Sequence, residues 1–192
     1  MNKFDSTQYW IDRYKNGGDS GKGSYGIFGK LKSEFLNNFI ERYEIKNVLE
    51  LGCGEGDHLK NIPSSVEYLG HDVSDLIVKK NRKQFPNLKF TSSKNIKGKF
   101  DLTLSMDVIL HLIDDEVYKD YMKNLFSKSK KYVIIYDADQ DTTSFKMAPH
   151  NKYRKFTKDI PEEFKLISKF ENPHKGENTK ADFYVFRKNT DN

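Results

Sequence analysis

The spacing of apolar and polar residues divides the chain into an N-terminal helical part and a longer part in which strands and helices alternate. Helical spacing is found at residues 5–15, where Asp5 or Ser6 can cap, and at residues 27–43. Short apolar strands are predicted at residues 46–51, 66–71, 88–91, 100–105 and 131–137. Helices are predicted to start in 55–62 and to span 74–85 and 114–127, capped by Ser74 and by Asp114 or Asp115. Such alternation is typical of a parallel sheet with helices on both faces.

The pattern changes near the C-terminus. A short helix is predicted at residues 157–164, with Pro161 in its first turn. Two strands then follow without a helix between them, at residues 164–171 and 182–187. A hairpin at one edge of a mostly parallel sheet fits this order. We therefore predict one α/β domain over residues 1–192, with a doubly wound, seven-stranded sheet that is mostly parallel and carries an antiparallel C-terminal hairpin strand.

Composition narrows the class of protein without assigning a function. The chain has 192 residues, a net charge of +5, and 14 Phe and 11 Tyr that supply large side chains for a core. The basic balance favours an anionic partner, but acidic residues are interspersed, so no nucleic-acid tail is indicated. No apolar run approaches the roughly 18 residues of a membrane span, and the start of the chain has no apolar signal sequence. The single cysteine, Cys53, excludes a disulfide scaffold and a cysteine-based zinc site. We expect a soluble cytoplasmic protein with no membrane partner.

A glycine turn after the first strand is the main candidate for chemistry. The segment VLELGCGEGDHL places Gly52, Gly54 and Gly56 between a strand and a helix start. Glycines there permit a tight turn and a close approach of the backbone to a ligand. The dinucleotide fingerprint G-x-G-x-x-G would need glycine at position 57, which is Asp57.

Two acidic residues near this turn indicate what the ligand carries. Glu50 precedes the first glycine by two positions, which argues against a pyrophosphate and for a ligand with a positive group. Asp72 ends the next strand, about 20 residues further on, where a carboxylate reaches a ribose diol in doubly wound folds.

The pattern E-x-G-x-G-x-G followed by an acidic strand end resembles the class I S-adenosylmethionine-dependent methyltransferases. The resemblance covers almost the whole chain and is strongest to small bacterial methyltransferases that are often found with surface-polysaccharide (capsule) biosynthesis. The matching segments are YWIDRYKNGGDSGKGSYG, VLELGCGEGDHL, YLGHDVSD, LSMDVILHLIDDEVYKDYMKNLF, VIIYDAD, HNKYRKFT and ADFYVFRK. The resemblance implies S-adenosyl-L-methionine as cofactor and S-adenosyl-L-homocysteine as product. The implied acceptor is a small, anionic or nucleotide-linked molecule, such as a sugar hydroxyl or a capsular phosphoramidate.

The resemblance also implies roles for individual residues and segments. Residues 1–44 would supply N-terminal helices and a glycine-rich lid, 45–137 the cofactor-binding half, and 138–192 the substrate loop and last strands. The backbone of Gly52–Gly56, which includes Cys53, would hold the amino-acid end of the cofactor together with Glu50. Asp72 would bind the ribose and Val73 the adenine, while Met106 and Asp107 would lie near the reacting methyl group. Ser92 is the nearest substitute for an acidic residue that family members often have after the third strand.

The segment MDVILHL offers a candidate base for methyl transfer to a hydroxyl. Asp107 and His111 are four residues apart, so on a helical turn they would share a face. We predict both as catalytic residues, with His111 as the general base. The alternative is that His111 only hydrogen-bonds the loop.

Two segments after the fifth strand are candidates for substrate or metal binding. The carboxylates of residues 136–141 could hold Mg²⁺ with Asp107, but a run of acidic residues is more often a solvated turn, which we favour; no metal is predicted. The basic loop at residues 145–156 could clamp an anionic substrate, or it could be an ordinary cationic surface. The predicted substrate-binding residues are Tyr136, His150, Tyr153 and Arg154.

The glycine-rich stretch NGGDSGKGSYG, residues 16–26, contains GKG and invites comparison with a phosphate-binding loop. The pattern G-x-x-x-x-G-K-S/T needs glycine at position 16 and serine or threonine at position 23, whereas the chain has Asn16 and Gly23. A flexible linker is the remaining plain alternative. The resemblance implies a mobile lid instead, with Tyr14, Ser24 and Tyr25 near the methionine end of the cofactor.

Two other functions stay open from the sequence. A nucleic-acid methyltransferase would be expected to show a broad basic face with interleaved aromatic residues. The amino-methylating pattern D/N-P-P-Y/F is absent after the fourth strand, where the chain reads SMDV. A non-catalytic S-adenosylmethionine-binding protein would share the glycine turn and the acidic residues, so only turnover separates it from an enzyme. The oligomeric state is left open.

Overall fold

The strands of the computed structural model form one mixed sheet. The structure describes residues 4–141, 148–176 and 179–189. Its strands are β1 (Asn47–Leu51), β2 (Glu67–His71), β3 (Lys89–Thr91), β4 (Phe100–Met106), β5 (Ser129–Asp137), β6 (Phe164–Phe170) and β7 (Asp182–Lys188). They lie in the order β3-β2-β1-β4-β5-β7-β6. The first five pair in parallel, and β7 runs antiparallel to β5 and β6. The predicted doubly wound sheet of seven strands, with its antiparallel C-terminal hairpin strand, is confirmed.

Four α-helices surround the sheet in the described residues. They are α1 (Ser6–Lys15), α2 (Gly26–Arg42), α3 (Asp75–Gln84) and α4 (Asp115–Ser127). Asp5 caps α1 by accepting from the Gln8 amide, and Asp114 caps α4. Ser74 occupies the N-cap position of α3, but its hydroxyl makes no capping hydrogen bond. None of the helices in the described part of the chain has the length and apolar character needed to cross a bilayer.

Two predicted helices are wrong in type. The helix expected to start in residues 55–62 is a single 3₁₀ turn at Asp57–Leu59, since Gly56 before it has a left-handed φ of 68°. Pro63 disfavours helical geometry at the residue before it, so a helix could not extend past this point. The helix expected at 157–164 is also a 3₁₀ turn, Phe156–Asp159, and Pro161 lies beyond its end.

The core lies on both faces of the sheet because side chains alternate along each strand. On β5, Val133 and Ile135 pack with Leu125 of α4 on one face. Ile134 of β5 packs on the other face with Leu36 of α2. Helices thus cover both faces and leave the strand ends for a site.

The N-terminal helix lies across the carboxyl-terminal edge of the sheet. The hydroxyl of Ser6 donates to the carbonyl of His111, which follows β4, and the ring of Trp10 contacts the His111 ring edge-on at 4.8 Å. These contacts place α1 over the loop that follows β4.

Candidate active site

A cavity opens at the carboxyl ends of β1, β2 and β4, under α1 and the first glycine-rich stretch. Nearly all predicted cofactor residues line it, namely Tyr14, Ser24, Tyr25, Glu50, Gly52, Cys53, Gly54, Gly56, Asp72, Val73, Met106 and Asp107. The predicted base His111 lines it as well. Parallel strands end at this edge, which is where doubly wound folds bind their ligands.

The glycine turn is shaped by close contacts that only glycine allows. Gly52 has a φ of 79°, and a Cβ atom there would lie 2.6 Å from Cγ2 of Val108. Gly54 has a φ of 50°, and its Cβ would lie 2.8 Å from Oγ of Ser20. Both positions therefore require a residue without a side chain, because the conformation and the space forbid one.

Glu50 forms the buried floor of the cavity. It is 0% exposed, and its Oε2 accepts hydrogen bonds from the Tyr68 hydroxyl and from His58 Nε2 at 2.9 Å. Its Oε1 has no hydrogen-bond partner among the described residues. A buried carboxylate oxygen without a donor is unfavourable, so this atom suits a cationic donor on a ligand. His58 is itself buried beside Glu50.

Asp72 lies at the end of β2 and is held by the backbone. Its Oδ2 accepts from the amide of Gly54 and its Oδ1 from the amide of Ser74, each at 3.0 Å. Burial raises the pKa of this carboxyl to about 6, and these backbone hydrogen bonds oppose the rise. Each oxygen retains a lone pair, so the group can still accept from a ligand hydroxyl.

Ser92 does not line the cavity, contrary to its predicted role. Its hydroxyl donates to the carboxylate of Asp75 at the start of α3. From the same loop after β3, Lys94 and Ile96 line the cavity instead. The hydroxyl of Ser92 is thus taken up by a contact outside the cavity.

The first glycine-rich stretch lies directly over the glycine turn and is called the cover here, residues 16–25. Ser20 is its centre: Oγ lies 2.9 Å from the Tyr14 hydroxyl and accepts from the Glu55 amide at 3.1 Å. The amide of Ser20 and the hydroxyl of Tyr25 both donate to the Glu55 carboxylate. The cover is thus fastened to the turn by hydrogen bonds, which a free linker would not be.

His111 has the tautomer that a general base needs. It ends a 3₁₀ turn, Ile109–His111, and its Nδ1–H donates to the carbonyl of His150 at 3.1 Å. Because a carbonyl only accepts, the proton is on Nδ1 and Nε2 carries the lone pair. Burial lowers the pKa of His111, which favours the neutral ring. The alternative role of His111, a hydrogen bond to the loop, is also seen. Nδ1 makes that hydrogen bond, and Nε2 takes no part in it.

Asp107 and His111 share the cavity, but Asp107 has another partner. Its carboxylate forms an ion pair with Lys32 of α2, a residue that is 3% exposed. Its backbone φ is 56°, in the left-handed region. The helical spacing correctly predicted the shared cavity, although the 3₁₀ turn begins only after Asp107.

Two of the predicted substrate residues are directed elsewhere. Arg154 is buried, and its Nη2 donates to the carbonyl of Ile113 at 3.0 Å and to Asp115 at 2.6 Å. Tyr136 is fully buried in the core, and its hydroxyl accepts from Asn172 at 2.8 Å. In the structure Arg154 fastens its loop to α4 and Tyr136 packs in the core, so neither position supports the predicted contact with a substrate.

His150 and Tyr153 lie in the same loop as Arg154. The His150 ring stacks on Tyr9 of α1 with centroids 4.7 Å apart, and its carbonyl holds His111. Tyr153 lies beneath the Lys180 ammonium at 5.8 Å. Residues 145–147 at the start of the predicted basic loop fall outside the described residues. The loop therefore contacts the cavity residue His111 through His150.

The carboxylates of the acidic run after β5 accept hydrogen bonds from backbone groups of neighbouring segments. The carboxylate of Asp139 accepts from the amide and hydroxyl of Thr157, and Asp141 accepts from the amide of Lys155. Asp137 is buried and accepts from the amides of Ala138 and Leu110. Within the described ranges, no group of three or more His, Cys, Asp or Glu residues is arranged to hold a metal ion. The predicted solvated turn holds for the end of the run, where the Asp141 side chain is 64% exposed, whereas Asp137 is buried.

Several residues that line the cavity were missed from the sequence, and three of them make contacts that shape the site. Ser20, Lys32 and His58 all line the cavity. Lys32 could have been noticed, since it lies four residues before Leu36 on the apolar stripe of α2, where a lysine is unusual. Nothing in the local sequence distinguishes Ser20 from its polar neighbours.

Comparison with known proteins places the fold among the methyltransferases. No protein-family model matches the chain, and no curated protein matches it in sequence. In structure it is similar to the N-methyltransferase NodS from Bradyrhizobium japonicum, solved with S-adenosyl-L-homocysteine, at a TM-score of 0.78 and 13% identity, covering 96% of this chain and 99% of that one. It is also similar to magnesium protoporphyrin IX methyltransferase from Synechocystis, solved with the same molecule, at 0.74 and 15%, covering 96% and 100%.

A third solved structure supports the same conclusion. An S-adenosylmethionine-dependent methyltransferase from Clostridium acetobutylicum matches at a TM-score of 0.66 and 14% identity, covering 95% of this chain and 98% of that one. At such identities the likeness shows the fold, which is the Rossmann-like fold of class I methyltransferases.

Proposed function

We propose that this protein transfers a methyl group from S-adenosyl-L-methionine to a small acceptor. One observation carries the proposal: the cavity beside the glycine turn has the buried Glu50 with an unpartnered Oε1 as its floor. A ligand with an ammonium group would supply the missing donor. The solved methyltransferases of the same fold, with S-adenosyl-L-homocysteine bound, support the choice of ligand.

The residues of the cavity fit the parts of this cofactor. Glu50 would hold its ammonium group, and Asp72 would accept from its ribose hydroxyls. Val73 and Ile96 offer apolar surface for the adenine. The bound cofactor would supply an electrophilic methyl group on a positively charged sulfur.

The protein's own contribution to the reaction would be position and proton removal. The cover and α1 lie over the cavity and would limit the access of water, so that the acceptor and methyl group could be held in line. His111 Nε2 would take the proton that an acceptor hydroxyl loses. The carbonyl of His150 would then stabilise the imidazolium through the Nδ1–H that it already accepts.

The identity of the acceptor rests on the sequence resemblance. That resemblance supports a sugar hydroxyl or a phosphoramidate in capsule biosynthesis, made in the cytoplasm, and we retain this as the proposed acceptor class. Arg154 gives an anionic acceptor less support than the sequence suggested, since its Nη2 donates to Asp115 and its guanidinium lies over the Tyr118 ring, although Nη1 has no hydrogen-bond partner among the described residues. Other polar residues that line the cavity and would be near an acceptor are His111, Ser6 and Thr7.

Calorimetry followed by a turnover screen tests the proposal. The protein is titrated with S-adenosyl-L-methionine and S-adenosyl-L-homocysteine. We expect dissociation constants in the micromolar range, which correspond to a binding free energy of about −8 kcal/mol. Nucleotide-linked sugars are then screened for production of S-adenosyl-L-homocysteine. Absence of binding to either molecule overturns the proposal, and binding without turnover on any acceptor would favour a non-catalytic binding protein. Turnover on RNA or DNA would favour a nucleic-acid methyltransferase.

A further inference from the structure

Lys32 is a buried lysine that connects three parts of the molecule. It lies on α2 and is 3% exposed. Its Nζ donates to the carbonyl of Gly23 in the cover at 3.0 Å and forms an ion pair with the Asp107 carboxylate after β4. It also lies 4.9 Å from the centre of the Tyr136 ring on β5. The cavity is lined by both Lys32 and Asp107.

These contacts account for how a charged side chain can be buried at this point. An ammonium group removed from water is unfavourable unless an opposite charge and hydrogen-bond acceptors replace the water. Asp107 supplies the charge, the Gly23 carbonyl supplies an acceptor, and the Tyr136 ring presents a π face. If the cover moves away, the ammonium loses the Gly23 carbonyl and keeps its ion pair. The position of the cover is therefore favoured by the charge on Lys32.

Asp107 depends on the same contact. Its φ of 56° lies in a region that residues with a side chain rarely adopt, and such conformations persist where surrounding contacts hold them. The amide of Asp107 donates to the Tyr136 carbonyl at 2.8 Å, and Lys32 holds the carboxylate. Gly23 packs close by, since a Cβ atom there would lie 3.6 Å from Asp107 Oδ2. The cover, Lys32 and Asp107 thus meet at one point of the cavity.

We propose that Lys32 is a positioning residue that links closure of the cover to the orientation of Asp107. One ammonium group holds the Gly23 carbonyl and the Asp107 carboxylate together, so a closed cover and a correctly placed Asp107 occur in the same state. The link itself concerns the protein alone, while its consequence for cofactor binding rests on the proposed function. In this arrangement Asp107 is held by a cation and leaves proton removal to His111.

Lys32→Met tests the link because it keeps an unbranched side chain, one atom shorter, and removes the charge. Lys30→Met is the matched control: Lys30 lies on the same helix, is exposed, and forms only a surface ion pair with Glu34 at 3.7 Å. Hydrogen exchange of the ligand-free protein measures the cover directly, through the amides of Ser20 and Ser24, which donate to Glu55 and to the Gly21 carbonyl. We expect these amides to exchange at least about tenfold faster in Lys32→Met, with strand amides unchanged, and no change in Lys30→Met.

Rescue and cofactor binding separate a positioning role from a merely structural one. Lys32→Arg keeps the charge and should restore protection of the cover in part. Binding of S-adenosyl-L-homocysteine should weaken about tenfold or more in Lys32→Met and remain unchanged in Lys30→Met. If the wild-type protein does not bind this molecule, the proposed function fails. The exchange result still tests whether Lys32 links the cover to Asp107.

Three outcomes would overturn the inference. They are unchanged exchange of the cover in folded Lys32→Met, faster exchange spread over the whole chain, and no recovery in Lys32→Arg. If Lys32→Met does not fold, Asp107→Asn removes the same ion pair from its more exposed end, where Asp107 is 21% exposed. Faster exchange confined to the cover in Asp107→Asn supports the link, and unchanged exchange overturns it.

Discussion

The Nε2 atom of His58 lies 2.9 Å from Oε2 of Glu50, and both side chains are buried at the floor of the cavity. The two residues are eight positions apart and meet because the glycine turn folds the 3₁₀ turn at 57–59 back under β1. His58 and Tyr68 together occupy one oxygen of the carboxylate and orient it. The other oxygen is left for a donor on a ligand. A pre-oriented carboxylate loses little freedom on binding, so Glu50 is placed to contribute strongly to affinity.

Glu50→Gln should weaken cofactor binding while leaving the protein folded. The substitution keeps the size of the side chain but removes the charge that would pair with an ammonium group. Loss of a charge-assisted hydrogen bond corresponds to roughly 1.5–3 kcal/mol, or about ten- to a hundredfold in the dissociation constant. Calorimetric titration with S-adenosyl-L-homocysteine measures this. Glu67→Gln, at an exposed position on β2, is the control and should bind as the wild type does. If Glu50→Gln bound S-adenosyl-L-homocysteine as tightly as the wild type, Glu50 would not be a cofactor-binding residue.

His111→Ala should lower kcat by about a hundredfold to ten-thousandfold and leave cofactor affinity nearly unchanged. The base acts as the neutral ring, so the rate should fall as the pH drops through the pKa of His111. Burial holds that pKa below its usual value of 6.5, so the fall should be centred on the acid side of 6.5. A pH–rate profile with the best acceptor measures this. His174→Ala, an exposed histidine, should keep the wild-type profile. An unchanged kcat in His111→Ala would assign the ring to holding the loop alone.

The fold could be predicted from the sequence because its strands are short apolar runs with clear breaks, and five alternate with helical spacing. The cofactor side of the cavity could also be predicted, since Glu50, the glycines and Asp72 lie within about two dozen residues of one another and are brought together by local geometry. The predicted helix at 55–62 was wrong because Gly56 adopts a left-handed conformation before the segment and Pro63 follows it. Helix propensity alone does not predict either effect.

The acceptor side was harder to predict because it is built by contacts between distant segments. Arg154 looks like an anion clamp in the sequence, but Asp115, which is 39 positions away, accepts its hydrogen bond. Lys32 pairs with Asp107 across 75 positions. Charge on a single segment does not show whether its partner will be a ligand or another part of the chain. Such residues are assigned only when the tertiary structure is known.

Gly54→Ala should weaken cofactor binding and loosen the cover. Its φ of 50° is unfavourable for alanine, and the added Cβ would lie 2.8 Å from Oγ of Ser20. Conformational strain alone corresponds to roughly 1–3 kcal/mol, and displacement of Ser20 would break its hydrogen bond to the Glu55 amide. Thermal unfolding and calorimetric titration measure the two effects. Gly176→Ala is the control, because a Cβ there meets open space and its φ is not positive. Wild-type affinity in Gly54→Ala would show that the turn and the cover are not held as closely as this contact requires.

Asp137→Asn should change how stability depends on pH. Burial, and then the charge of Asp107, raises the pKa of the Asp137 carboxyl to about 8. In the unfolded chain the pKa is about 3.9, so between the two values the native state keeps a proton that the unfolded state releases. The contribution to stability is complete below pH 3.9 and is lost as the pH rises through 8, with a slope of up to about 1.4 kcal/mol per pH unit.

The pH range from 7 to 8 isolates this effect from the other groups with shifted pKa values. The pKa of Asp72 is raised only to about 6, and the histidines with lowered pKa values act below 6.5. Urea unfolding should therefore show a wild-type free energy of unfolding that falls from pH 7 to 8. Above pH 8 the buried thiol of Cys53, whose pKa is raised by burial, adds a further fall that wild type and Asp137→Asn share. Asp137→Asn resembles the protonated group and should give a flatter curve, with higher stability than the wild type at pH 9. Asp120→Asn, on the exposed side of α4, should keep the wild-type slope. Parallel curves for wild type and Asp137→Asn would mean that Asp137 is ionised in the native protein, and that the turn bearing His111 is held by a charged carboxylate.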